Sequence, residues 1–146
     1  MGKVIAVCTS EKKGTQKVSV PEIEIVEDWG IEGDAHAGKW HRQISLLSYD
    51  KIEAFRARGA EVEDGAFGEN VIVQGIDFRN LPVGTRLKCN DVLLEMTQIG
   101  KECHHGCQIF QKMGECIMPR EGVFAKVLHG GKIKAGDKMI VLAAEE

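Results

Sequence analysis

Short runs of alternating apolar and polar residues, broken at almost every turn by glycine, read as a succession of strands. Lys3 to Thr9 is the first, ended by the polar turn Glu11-Lys12-Lys13-Gly14. Val18 to Val26 alternates with Ile23 and Ile25 on one side. Pro21 within it has no amide to donate, which places the segment at a sheet edge or strand entry. After a glycine-rich loop from Gly30 to Gly38, Gln43 to Leu47 forms a short strand. Glu69 to Gln74 carries the unbroken apolar run Val71, Ile72 and Val73, as expected of a buried strand. Leu81 to Gly84 is a turn. Thr85 to Cys89 and Val92 to Ile99 then form a hairpin across Asn90-Asp91, and Val92, Leu94 and Met96 alternate with Leu93, Glu95 and Thr97. Val123 to Leu128 fits either a strand or a helix. Gly130-Gly131 and Gly136-Asp137 are turns, and Lys138 to Ala143 is a closing strand.

One segment has clear helical spacing. In Tyr49 to Arg58, Ile52 and Phe55 share a face, Ser48 or Asp50 can cap the start, and Gly59 can close the end. Gly100 to Gly122 is irregular, with room for a short helix near Cys107 to Met113. Many short strands with one helix, about 49–58, and a few helical turns predict a mostly β, barrel-like single domain over 1–146. No repeat, linker or low-complexity tract divides it.

Composition narrows the function classes. The 146 residues suffice for a substantial core, and a hydrophobic share of 43% with 28% charged residues is ordinary for a globular chain. A net charge of -3 gives no basic field for nucleic acid, so any bound anion must meet a local patch. The apolar run Val4 to Cys8 is too short for a signal segment or membrane span, which leads to the expectation of a cytoplasmic protein with no membrane partner. Five cysteines, an odd number, argue against a disulfide framework and for thiols used in chemistry, metal binding or packing.

Three stretches can carry chemistry. The loop from Gly30 to Gln43 has three glycines in nine positions, which let the backbone approach a ligand, and brings His36, Lys39, His41 and Arg42 into one short segment. Arg42 can hold a phosphate or carboxylate with a forked pair of hydrogen bonds; a plain polar surface loop is the alternative. Ahead of the buried strand, Gly65-Ala66-Phe67-Gly68-Glu69-Asn70 offers Glu69 and Asn70 either to a ligand or to the turn itself, and residue chemistry favours the turn. The third stretch runs from Gln98 through Lys101, Cys103, His104, His105 and Cys107 to Cys116. Neighbouring positive charge lowers a thiol pKa from about 8.5 and produces the reactive thiolate. Cys103 sits among such groups, whereas Cys8 and Cys89 read as buried, inert thiols. Cys103, Cys107 and Cys116 also offer zinc-type ligands, but no second matched pair completes a standard structural site. Cys107 or Cys116 can alternatively act as a resolving thiol for Cys103. Lys126, in a stretch that reads as architectural, can face a ligand without its spacing requiring it.

Taken in order, Gly30-x-x-Gly33-Asp34-x-His36-x-Gly38, Arg42-Gln43-Ile44-Ser45-Leu46-Leu47, Phe67-Gly68-Glu69-Asn70 and Leu81-x-Val83-Gly84 form a pattern. It continues with Val92 to Gln98 leading to Cys103, then Gly130-Gly131 and Gly136-Asp137. The set resembles the MOSC (molybdenum-cofactor sulfurase C-terminal) domain family in its small stand-alone form, over roughly residues 20 to 143. The resemblance implies a β-barrel and a role in molybdenum-cofactor sulfur chemistry, with Cys103 matching the proposed sulfur-carrying cysteine as a persulfide. In better-known members the domain follows a pyridoxal-phosphate cysteine desulfurase. This chain has no room for one, so no pyridoxal phosphate is expected on it and a separate cysteine desulfurase or other donor is implied. Cys107 and Cys116 depart from the one-cysteine pattern.

These readings lead to a sulfurtransferase or sulfur carrier that binds molybdopterin-type cofactor and works with cofactor-biosynthesis proteins or a molybdoenzyme. Lys101, His104 and His105 would favour the Cys103 thiolate. Gly33, Asp34, His36, Lys39, Arg42, Glu69 and Asn70 would form the cofactor site. The rival expectations are a non-catalytic module that binds or delivers molybdenum cofactor or oxoanion, and a Cys/His metal-binding domain.

Overall fold

The computed structural model describes residues 2–12, 16–35, 37–59, 63–100 and 121–142. Its strands are β1 (Gly2–Thr9), β2 (Val18–Val20), β3 (Glu22–Val26), β4 (Gly30–Ile31), β5 (Ile44–Ser48), β6 (Val71–Gln74), β7 (Arg86–Cys89), β8 (Val92–Ile99), β9 (Val123–His129), β10 (Gly131–Lys134) and β11 (Lys138–Leu142). Helix α1 spans Tyr49–Ala57, and Phe78–Asn80 forms a single 3-10 turn.

The strands follow the order β11-β7-β8-β9-β5-β6-β1, and β11 pairs back onto β1, so that among the described residues seven strands close a barrel. Strand β2 adds to the far end of β1, and β10-β3-β4 form a separate small sheet. Closure removes the open sheet edges that would otherwise invite pairing with another chain. All neighbouring barrel strands pair antiparallel except β5 and β6, which are parallel. A parallel pair needs a crossover, and α1 supplies it. Strand β5 is therefore buried on both faces, all five of its residues included.

Two apolar clusters result. Val4, Ile44, Leu46, Val73, Leu87, Leu94 and Met96 belong to the larger one, which also takes Ile23, Ile25 and Ile133 from the small sheet. Ala6, Cys8, Leu47, Ile52, Phe55, Phe67, Ile72 and Phe124 form the second, where α1 packs against the sheet. Phe55 and Phe67 meet edge to face at 5.7 Å. Burying a side chain such as Phe55 or Ile52 is worth roughly 1.5–3 kcal/mol, far more than the intrinsic helix preference of so short a segment.

The predicted strands and helix are present, with instructive differences. Pro21 splits the expected Val18–Val26 strand into β2 and β3, which pair with different partners. Val123–His129 is a strand, its residues pairing with both β5 and β8. Strand β10, between the two glycine turns, carries no strand signal of its own, because Ile133 is its sole buried residue and its partner is the distant β3. Ser48 occupies the N-cap of α1 without a side-chain cap bond. Gly59 closes the helix as expected, with φ +103° and its amide donating to the Arg56 carbonyl.

Candidate functional site

The loop between β4 and β5 is tied down from beneath. The Asp34 carboxylate accepts from Lys17 Nζ at 2.7 Å and from the Ser10 amide at 3.0 Å, and both side chains of the Lys17–Asp34 pair are fully buried. Lys17 Nζ also donates to Ser10 Oγ at 3.1 Å. The amide of Gly38 donates to the Trp29 carbonyl, closing the loop across its base. Asp34 thus anchors the loop, while Gly33 at φ +82° turns it with open space beside its Cα. Lys39 and Trp40 are exposed on the loop's outer part.

A second anchor lies under α1. Asn70 is fully buried: its Oδ1 accepts from the Ser45 amide and hydroxyl, and its Nδ2 donates to the Cys8 carbonyl at 3.1 Å. One side chain thereby joins β1 and β5 at the entry to β6. Glu69 beside it is also fully buried; its Oε1 accepts the Phe67 amide at 3.0 Å, and its Oε2 has no hydrogen-bond partner among the described residues. Burial pushes the Glu69 carboxyl up to about 7, with the amides of Glu69, Gly65 and Phe67 acting the other way and Asp64 adding to the rise. Burial likewise pushes the Cys8 thiol up to about 12, helped by Glu69 and Asp64, and the Cys89 thiol up to about 11, helped by Asp137. Both thiols are buried and reduced, as inert packing residues should be.

The cationic face is built where the loop enters β5, opposite the end of β8. Arg42 donates through Nε to Gln98 Oε1 at 3.0 Å, and its guanidinium lies over the Phe124 ring, 5.1 Å from the centroid. His41 Nε2 reaches the same Gln98 oxygen at 2.9 Å, and its ring meets Trp40 edge to face. The Thr97 hydroxyl donates to the His41 carbonyl, and Gln98 Nε2 donates to the Gly100 carbonyl at 2.7 Å. The amide of Gly100 in turn donates to the Gly122 carbonyl, joining the ends of β8 and β9 where the chain leaves and re-enters the barrel wall. Stacking and one Nε bond fix the guanidinium but leave its two terminal nitrogens without a partner among the described residues, the geometry that suits a forked contact to an oxyanion.

Arg42 and His41 are therefore brought together, by Gln98, a residue quoted in the sequence motif without a role. Asp34, Glu69 and Asn70 lie apart from them in buried anchoring positions. Lys126 pairs with Glu95 at 3.1 Å on the barrel wall. Lys101, Cys103, His104, His105, Cys107, Cys116 and His36 lie outside the described residues, and with them the alternative metal site. Among the described residues, no group of three or more His, Cys, Asp or Glu side chains could hold a metal ion. No helix among them is long and apolar enough to cross a membrane.

A closed barrel with a helical crossover and a cation-bearing rim defines the class of domain, and comparison with known proteins names it. The MOSC domain model matches residues 33–140, so the chain belongs to the MOSC domain family. The fold is shared with the YuaD protein of Bacillus subtilis, at TM-score 0.82 and 18% identity over 99% of this chain and 98% of that one. It is also shared with YiiM from Geobacillus stearothermophilus (TM-score 0.72, 16% identity, 97% of this chain and 75% of that one). YiiM from Escherichia coli is similar too (TM-score 0.64, 19% identity, 97% and 70%). No curated protein matches in sequence.

Proposed function

We propose that the domain is a cytoplasmic sulfur carrier of molybdenum-cofactor metabolism, with Cys103 as the sulfur-bearing residue and Arg42 as the contact for the anionic phosphate of a molybdopterin-type substrate. The observation that carries this reading is the Arg42 guanidinium, stacked on Phe124 and held through Nε by Gln98, with its terminal nitrogens unpartnered among the described residues. Gln98 also bonds Gly100, three residues before Cys103 in the chain. On this reading, phosphate recognition and the sulfur-bearing segment would both start from the end of β8, which supports joining them in one function.

In the sulfur step, the Cys103 thiolate attacks the outer sulfur of a donor persulfide supplied by a separate cysteine desulfurase. The donor's S–S bond breaks, the donor leaves as a thiolate, and a persulfide forms on Cys103. Lys101, His104 and His105 favour the thiolate over the thiol. Lys39 and His36 add positive charge to the loop that carries Arg42, and Gly33, Asp34, Glu69 and Asn70 hold the loop and its supporting strands in place. The acceptor is a cofactor-biosynthesis protein or molybdoenzyme that receives the cofactor.

Intact-mass analysis after incubation with an active desulfurase and cysteine tests the reading. Gain of one sulfur, removed by cyanide and absent in Cys103→Ala, is expected. Absence of the gain in wild type would leave a module that binds or delivers the cofactor, and would remove the carrier.

A further inference from the structure

Arg56, Arg79 and Arg86 are each paired with a carboxylate. Arg56 meets Glu53 at 2.6 Å and Asp64 at 3.1 Å, Arg79 meets Glu121 at 3.9 Å, and Arg86 meets Glu95 at 3.7 Å. Arg42 forms no ion pair with any described residue; it is held by the Gln98 amide oxygen, 3.0 Å from Nε, and by the Phe124 ring, both of them neutral. The carboxylates of the same stretch of wall are engaged elsewhere. Glu95 in β8 binds Lys126 at 3.1 Å as well as Arg86, and Glu121 just ahead of β9 faces Arg79. Arg42 is half-buried, and a cation partly removed from water with no opposite charge beside it raises the free energy of the folded chain. Nε can only donate, so the Gln98 atom facing it is the oxygen, and the amide nitrogen is left to donate to the Gly100 carbonyl at 2.7 Å.

We propose that the neutrality of Gln98 keeps this site open to anions: the amide holds the guanidinium without cancelling its charge, and the bound anion is the missing counter-ion. The inference rests on the reading of Arg42 as the phosphate contact and adds the residue that decides whether an anion is accepted at all. A carboxylate at position 98 would satisfy Nε equally well in geometry. It would also supply the opposite charge, compete for the terminal nitrogens through its second oxygen, and repel an incoming oxyanion. Glutamine and glutamate have nearly the same shape, so charge alone separates them here. The ligand class is an oxyanion, free or carried on a larger molecule, that brings the negative charge this part of the wall lacks.

The test is titration of the full chain with inorganic phosphate at pH 7.5 and constant ionic strength, read by nitrogen NMR of the Arg42 Nε–H group. Wild type is compared with Gln98→Met and Gln98→Glu. Both variants lose the donor to the Gly100 carbonyl, so that loss cancels between them. Gln98 is half-buried beside the Arg42 guanidinium, so neither variant puts an unpaired charge in the core. Gln98→Met stays neutral but removes the acceptor; its phosphate affinity should fall about fivefold, the worth of one hydrogen bond. Gln98→Glu keeps the acceptor and should retain the ordered Nε–H signal, yet lose on the order of thirtyfold in affinity through its charge. A purely structural role for Gln98 predicts the reverse order, because Gln98→Glu preserves the bond that holds Arg42. Phosphate bound by Gln98→Glu as tightly as by Gln98→Met, or more tightly, would overturn the proposal. A wild type that binds no phosphate, or Arg42→Met that binds it as wild type does, would remove the phosphate-contact reading and this inference with it. The expected order in a protein that gains no sulfur on Cys103 would leave this inference standing and remove the sulfur carrier alone.

Discussion

Lys17 Nζ lies 2.7 Å from Asp34 Oδ1 with both side chains fully buried, so the loop preceding β5 is fastened to the segment before β2 by an ion pair out of reach of water. Ser10 supplies further hydrogen bonds to both partners. Desolvation makes such a pair weak as a net source of stability but costly to halve. Lys17→Met or Asp34→Leu alone should each lower unfolding free energy by about 3–5 kcal/mol. The double variant should recover much of that loss, as read by urea denaturation; additive losses would show that the charges are not coupled.

Glu69 should make stability depend on pH. Its carboxyl is raised from the ordinary value of 4.5 to about 7 in the folded protein, chiefly by burial, so the folded state binds the proton more tightly than the unfolded chain. Its contribution is therefore fully present below about pH 4.5, falls as pH rises towards 7, and levels off above. The total change is about 3 kcal/mol, from 1.36 kcal/mol per pKa unit. Glu69→Gln, which resembles the protonated acid, should flatten that slope and stabilise the protein at pH 8. An unchanged slope would place the titrating group elsewhere.

Gly65 and Gly33 share a positive φ but not their surroundings. A Cβ on Gly65 would lie 2.2 Å from the Lys17 carbonyl oxygen, whereas one on Gly33 would meet nothing within 4 Å. Gly33→Ala should cost about 1–2 kcal/mol from backbone conformation alone. Gly65→Ala should cost about 1–3 kcal/mol more, because backbone atoms must move apart. Equal melting temperatures for the two variants would refute the close approach.

Cys8 and Cys89 should resist alkylation. With thiols pushed up to about 12 and about 11 and buried in the fold, both should stay unmodified by iodoacetamide at pH 8 until denaturant is added. Peptide mass mapping before and after unfolding checks this. Rapid labelling of either in the native state would show local opening around β1 or β7.

Most of the barrel was legible because its strands carry their own signal. The alternation in Val92 to Thr97 and the solid apolar run Val71 to Val73 reflect one buried face and two buried faces, and the helix is marked by Ile52, Phe55 and Gly59. Strand β10 was not legible, because two of its four residues are exposed lysines and its only buried side chain, Ile133, faces Ile23 across more than a hundred residues. In the site, Arg42 stood out by residue type and its glycine-rich setting. Gln98 and Lys17 did not, since an amide and a lysine in polar stretches look like solvated surface until their partners are known.

The sequence by itself determined the strand-rich class, the position of the helix and the MOSC family, since periodicity, turn residues and ordered motifs are properties of neighbours along the chain. Only the tertiary structure decided that β11 closes onto β1, that Asp34 meets Lys17, and that one oxygen of Gln98 orients both His41 and Arg42. Those relationships join residues from 17 to more than 130 positions apart. Their energies depend on distance, burial and hydrogen-bond direction, and none of these is defined until the chain has folded.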